Sequence, residues 1–232
     1  MNLATDSSSG NGVFRNPADS ATITQVSIPQ GSSTTQFRYR DTLADVHSLT
    51  VSDAAPIPPI LIGDSVTITV VPSTTYQLVI TSTPQSVVAG TISGPVRVVR
   101  QDFFGNANFA DPALQVDLAS SSNTGAAEFR ATSGGSAVTS VTIPNGSEYA
   151  EFYYTDEVAA TYTLTTSASG KVPDTQAITI TADVPDHLVI LTTTTVITAG
   201  APPITVTIQR QDQFNNPAPG APLDIFLQKQ SP

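Results

Sequence analysis

The chain repeats itself, and the repeat fixes the size of what it can fold into. TIPNGSEYAEFYYTDE (142–157) restates SIPQGSSTTQFRYRDT (27–42), placing Ile143 on Ile28, Phe152 on Phe37 and Tyr154 on Tyr39 at an offset of 115 positions. The same offset carries LATDSSSGNGVFR (3–15) onto LASSSNTGAAEFR (118–130) and Leu49 onto Leu164. A second pairing runs at an offset of 110. It places YQLVITSTPQSVVAG (76–90) on DHLVILTTTTVITAG (186–200), and RQDFFGN (100–106) on RQDQFNN (210–216). The two offsets differ because the proline-rich insertion DAAPIPPILIG (53–63) faces the shorter SASGKVP (167–173). Proline-rich loops are where such insertions are tolerated. A period of 110–115 residues matches one β-sandwich domain.

The boundaries fall near PSTTY (72–76) and ADVPD (182–186). Residues 1–74 therefore read as the C-terminal part of one Ig-like domain, 75–185 as a complete sandwich, and 186–232 as the N-terminal part of another. A half-sandwich alone exposes a core face and strand edges. The expectation is that each half meets a partner. The partner is either another chain joined by strand complementation, a head-to-tail contact that gives an open filament, or a covalent neighbour in a longer array. The two halves overlap only near LDIFLQ (223–228), whose counterpart is the strand holding Leu118.

Within the complete repeat the apolar residues alternate over short runs, the signature of half-buried strands. These runs are YQLVITS (76–82), PVRVVRQD (95–102), ALQVDLAS (113–120), AAEFRA (126–131), VTSVTI (138–143), EFYYT (151–155), TYTLTTS (161–167) and QAITITA (176–182). Seven or eight strands and no helix predict an all-β sandwich. Phe37, Tyr39, Phe152 and Tyr154 read as core, because each pair shares one face of its strand. Pro29-Gln30-Gly31 and Pro144-Asn145-Gly146 predict type I turns closed by a glycine bulge. Gly105 is replaced by Asn215 in the other copy. These two residue types best tolerate positive φ, which predicts a left-handed turn position there.

Charged residues make up only 12% of the chain, and threonine-rich outer faces take their place. The net charge is −10, and the only lysines are Lys171 and Lys229. No basic patch exists to neutralise phosphates, so nucleic acid is excluded as a partner, and an anionic membrane surface would repel the chain. No run of 18 apolar residues is present, which argues against membrane insertion by a helix. The residues after Met1, NLATDSSSG, do not read as a signal peptide. The absence of cysteine fits a bacterial or archaeal extracellular protein whose cores are large enough to fold without disulfides.

RQDQFNNPAPGAPLDIFL (210–227) resembles the segment D-x-x-G-N-P-x-x-G-x-x-V of bacterial Ig-like domains of the invasin and intimin type. VTIPNGSEYAEFYYTDE (141–157) and ATYTLTTSASG (160–170) resemble the closing strands of Ig-like repeats in large bacterial surface and adhesin proteins. The resemblance spans essentially the whole chain. It implies a tandem β-sandwich stalk, an adhesin segment or a surface filament. FFGNANFADPAL (103–114) departs from the pattern, with no proline directly after Asn106.

Motifs that carry chemistry are missing. There is no G-x-S-x-G, no phosphate-binding glycine loop and no histidine pair at metal spacing. His47 aligns with Tyr162 and His187 with Gln77, so both histidines read as surface or rim residues. Asp102 and Asp212 recur just before a turn. They read as turn caps, with calcium ligation as the sharper alternative, to which the linker acids Asp183 and Asp186 would add. Glu148, Glu151, Asp156 and Glu157 face Ser33, Gln36, Asp41 and Thr42 in the other copy, which argues against a shared metal site. No catalytic residue and no cofactor are expected. The expected function is a structural subunit or segment of an extracellular filament or cell-surface stalk. The alternative is an adhesin module that binds a glycan or protein receptor through sandwich loops.

Overall fold

A computed structural model describes residues 1–8, 10–54, 61–193 and 196–228. Residues 55–60 of the proline-rich insertion lie outside that set, as do Lys229 and the last three residues. The described residues form strands and turns without a helix. Contacts group the chain into two compact units. One is Met1–Gln77 with Arg100–Leu114 and Pro144–Glu148; the other is Leu78–Val99, Gln115–Ile143 and Tyr149–Pro232.

The first unit begins with β1 (Asn2–Thr5), β2 (Val13–Arg15), β3 (Arg38–Arg40), β4 (Val46–Ser52) and β5 (Asp64–Thr69). β1, β4 and β5 make an antiparallel sheet, with Leu3 opposite Val51 and His47 opposite Ile68. β2 and β3 pair separately, with Phe14 opposite Tyr39. A small core of Leu3, Phe14 and Leu49 lies between the two pairings, with Phe37, Tyr39, Val26 and Ile68 half-buried against it.

From Gln77 onward come β6 (Gln77–Ile80), β7 (Gln85–Val88), β8 (Val96–Gln101), β9 (Leu114–Ser120), β10 (Glu128–Arg130), β11 (Ala137–Val138), β12 (Ser140–Ile143), β13 (Tyr149–Thr155), β14 (Thr161–Ser167) and β15 (Asp174–Thr181). They form two five-stranded sheets, ordered β11-β10-β13-β8-β6 and β12-β9-β14-β15-β7. β7 pairs parallel to β15, while β14 pairs antiparallel to β9 and β15. Inward residues of both sheets are buried, among them Leu78, Val96, Val98, Val116, Ile143, Phe152, Tyr154, Leu164 and Ile178. This is a β-sandwich with one apolar interior. Its aromatic triangle repeats the one near the N-terminus. Phe129 meets Phe152 at 5.8 Å and Tyr154 at 5.1 Å, as Phe14 meets Phe37 at 5.6 Å and Tyr39 at 5.3 Å. In the second unit β16 (His187–Ile190) and β17 (Ile208–Gln211) follow, paired with Leu188 opposite Arg210.

The structure corrects four sequence expectations. VTSVTI is two strands rather than one, because the chain changes sheets at Thr139, whose carbonyl accepts from Leu118 N at 2.9 Å. Gln85–Val88, outside every run expected to be a strand, is a strand, which brings the sandwich to ten strands. His47 is not a rim residue but is buried, because its ring fills the slot that Tyr162 fills in the sandwich. His47 Nε2 lies 3.0 Å from Leu43 O, and the Tyr162 hydroxyl donates to Val158 O at 3.1 Å. Residues 222–228, expected to match the Leu118 strand, form no strand and lie exposed.

Candidate functional site

The recurring RQD-x-F-[GN]-N segment builds the same hydrogen-bonded lock in each unit. In the first unit Asp102 is buried. Its Oδ1 accepts from the backbone N–H groups of Phe104 and Asn106, both at 2.9 Å, and its Oδ2 accepts from Ser73 N at 3.0 Å. Oδ2 also accepts from Asn106 Nδ2 at 2.9 Å, which fixes the Asn106 amide. The turn that brings Asn106 back requires a positive φ at the residue before it, which is Gly105 at 87° here and Asn215 at 69° in the other copy.

With its side chain held, Asn106 grips a loop. Its Nδ2 donates to Thr42 O at 2.8 Å, and its Oδ1 accepts from Ala44 N at 2.9 Å. In the second unit Asp212 accepts from Phe214 N, Asn216 N and Asp183 N, each at 2.9 Å, and from Asn216 Nδ2 at 2.9 Å. Asn216 then donates to Glu157 O at 2.7 Å and accepts from Ala159 N at 2.8 Å. Each amide thus engages two backbone groups of one loop in a two-pronged contact, which fixes direction as well as distance.

The gripped loop is itself organised by a carboxylate. Asp41 Oδ1 accepts from Leu43 N at 2.9 Å, and Asp156 Oδ1 accepts from Val158 N at 3.1 Å. The Tyr39 hydroxyl donates to Asp41, and the Tyr154 hydroxyl donates to Asp156 Oδ2 at 3.0 Å. Each hydroxyl also meets a hydroxyl on a strand of another sheet, Thr5 on β1 at 3.1 Å and Ser120 on β9 at 2.9 Å. Tyrosine, aspartate, loop, asparagine and aspartate form one continuous polar chain in both copies.

These contacts set the charge states. Burial alone would raise the Asp102 carboxyl. The Asn106 side chain and the N–H groups of Ser73, Asn106 and Phe104 outweigh it and hold Asp102 below the usual carboxylate range. Burial opposes the same shift at Asp212, where Asn216 and the Asp183, Asn216 and Phe214 N–H groups win. Asp156 is held low against burial by Ser122, Val158 N, Tyr154 and Thr124. Burial pushes the Tyr154 hydroxyl up to about 12, and the Asp156 charge adds to the effect.

A buried arginine belongs to the first unit. Arg100 donates from Nε to Asn108 O at 2.6 Å and from Nη1 to Pro112 O at 2.5 Å. Its Nη2 donates to Asp111 O at 2.8 Å, Ser147 O at 2.7 Å and Pro144 O at 3.3 Å. The guanidinium ties its own strand, the loop after it and the Pro144 turn together.

Of the four carboxylates weighed for calcium, Asp102 and Asp212 direct both oxygens at N–H donors. Asp183 joins Asp212 through its backbone N–H, and Asp186 Oδ2 lies 3.0 Å from His187 Nδ1. Among the described residues no three or more His, Cys, Asp or Glu gather as a metal-binding group. Sequence reasoning stopped at the aspartates and passed over Asn106 and Asn216, which make the grip. Their recurrence four residues after Asp102 and Asp212 was the available signal.

No family model matches the chain, and no curated protein matches it. Among solved structures, the chain is similar to domains 4 and 5 of the S-layer protein SbsC, with 17% identity, a TM-score of 0.34, and coverage of 74% of this chain and 70% of that one. Domains 4–9 of SbsC match with 16% identity and a TM-score of 0.35, covering 89% and 28%. A family 2 glycosyl hydrolase from Bacteroides cellulosilyticus matches with 9% identity and a TM-score of 0.39, covering 74% and 21%. The chain spans about a quarter of the length of the latter two. Likenesses this distant carry no functional weight.

Proposed function

We propose that the chain is a structural segment of an extracellular or cell-surface stalk or filament, built from tandem Ig-like sandwiches and without catalytic activity. The observation that carries this reading is the lock itself, built twice from the same residues. A spacer needs successive sandwiches held in one orientation. Asn106 and Asn216 each join a loop of one repeat to a turn of the next, the turn after β8 and after β17, through partners buried enough to make the hydrogen bonds count. The acidic, lysine-poor, cysteine-free composition supports an extracellular setting without nucleic acid or membrane insertion.

Amide hydrogen exchange tests the lock where it acts. Asn106→Ala and Asn216→Ala are expected to speed exchange at the Ala44 and Ala159 amides by about tenfold, the effect of losing roughly 1.4 kcal/mol. Protection unchanged in both variants would contradict the reading.

One observation favours a second reading, an adhesin that binds a glycan. Tyr76 and Phe103 form an exposed edge-to-face pair at 5.1 Å, and their counterparts Asp186 and Gln213 are polar. Glycan-array binding that disappears in Tyr76→Ala and Phe103→Ala would support it.

A further inference from the structure

Among the described residues, three features near the N-terminus lack a complement there. The C-terminal stretch carries all three complements, and the central sandwich shows each pair already joined.

The first is a strand edge. β13 pairs with β8, placing Ala150 opposite Val98, Glu151 opposite Arg97 and Phe152 opposite Val96. The repeat offsets turn these into Thr35 with Ile208, Gln36 with Thr207 and Phe37 with Val206. The apolar counterparts are exposed where the sandwich buries them. Val206 is 51% exposed against 1% for Val96, Leu188 45% against 2% for Leu78, and Ile28 40% against 0% for Ile143.

The second is an arginine. Arg210, the counterpart of Arg100, donates to Ala221 O at 2.5 Å and Gly220 O at 3.0 Å on its own loop. Arg100 reaches in addition to Pro144 O and Ser147 O. The counterparts of those carbonyls are Pro29 and Ser32. Their turn is already formed, with Ser32 N donating to Pro29 O at 3.0 Å as Ser147 N does to Pro144 O at 3.2 Å.

The third is a glycine under an aromatic ring. Gly90 packs so closely beneath the Phe214 ring that a Cβ would collide with it, and Gly90 N donates to Asp156 O at 2.8 Å. Its counterpart Gly200 has φ 79° against 74° for Gly90, in a turn closed by Ala201 N to Thr198 O at 3.0 Å. The counterparts of the ring and the carbonyl are Phe104, 55% exposed, and Asp41.

We infer that the partner is a second copy of this chain. Its stretch from Asp186 onward completes the N-terminal sheets, ordering β2-β3-β17-β16 as β10-β13-β8-β6 are ordered in the sandwich. Arg210 of the second copy donates to Pro29 O and Ser32 O, and its Gly200 seats under Phe104. The contact uses different surfaces on the two copies, so it propagates head to tail. This rests on the stalk reading and names how one segment meets the next.

The chain has no cysteine, so engineered thiols report on this contact alone. Gln36→Cys and Thr207→Cys are made on separate full-length chains, mixed and oxidised. Arg97→Cys/Glu151→Cys, the equivalent pair inside the sandwich, shows that the geometry accepts a disulfide. Covalent dimers are expected in the mixture and in neither variant alone. Arg210→Ala on the Thr207→Cys chain is expected to lower their yield roughly tenfold. Two results overturn the inference: monomers only, while Arg97→Cys/Glu151→Cys closes its disulfide, or dimers as abundant in each variant alone. Neither of these alters amide protection at Ala44 and Ala159, so the lock stands or falls separately.

Discussion

Arg100 is the one arginine among the described residues of the first unit that is buried. It is fully buried and donates to five backbone carbonyls, which lose their donor together if it is removed. Arg100→Met is expected to destabilise the protein by about 3 kcal/mol or more. Arg100→Lys is expected to recover little, because an ammonium cannot reach that fan of acceptors. Urea unfolding of both variants checks this. The titrating residues set the pH limits. Asp102, Asp156 and Asp212 have lowered pKa values, so their stabilising contribution is present above the ordinary carboxylate value of about 4 and is lost as pH falls below it. Tyr154 is raised to about 12, so its contribution is complete below about pH 10 and is lost as pH rises toward about 12. The carbonyl of Leu43 raises His47 against the cost of its burial, and Asp41 and Asp6 add to the effect. Its contribution is present below about pH 6.5 and fades as pH rises through the raised value. His47→Tyr, which copies Tyr162, is expected to remove that fade from a melting-temperature profile across neutral pH. The burial of His47 was legible as an alignment with Tyr162, but a histidine with no chemical motif reads as surface until the slot is seen.

At the scale of elements, the turns were the most legible part. The Gly105/Asn215 exchange pointed to positive φ, and both residues adopt it. A Cβ at Gly105 would meet nothing within 4 Å, so any cost of substitution is a backbone cost. Gly105→Ala is therefore expected to lose about 1 kcal/mol in chemical denaturation, and Gly105→Asn clearly less. Strands were legible wherever apolar residues alternated over several positions, as in Thr161–Ser167. The sheet change at Thr139 was not, because it breaks pairing without breaking alternation. Gln85–Val88 was missed because it is short and lies against a turn.

For the whole molecule, the repeat gave the period and the all-β class, since it placed the same core aromatics twice. The repeat marked Asn106 and Asn216 as recurring but not what they grip. Asn106 and Asn216 act on residues far away in sequence, and nothing local marks an amide that will be held by a neighbouring carboxylate. The proposed stalk depends on the recurring lock making a stiff joint between successive repeats. Spin labels at Thr163 on β14 and His187 on β16, both in the second unit, read that joint directly by pulsed electron resonance. A single narrow distance distribution is expected for the native chain, broadening in Asn216→Ala. A broad distribution already present in the native chain would contradict a stiff joint.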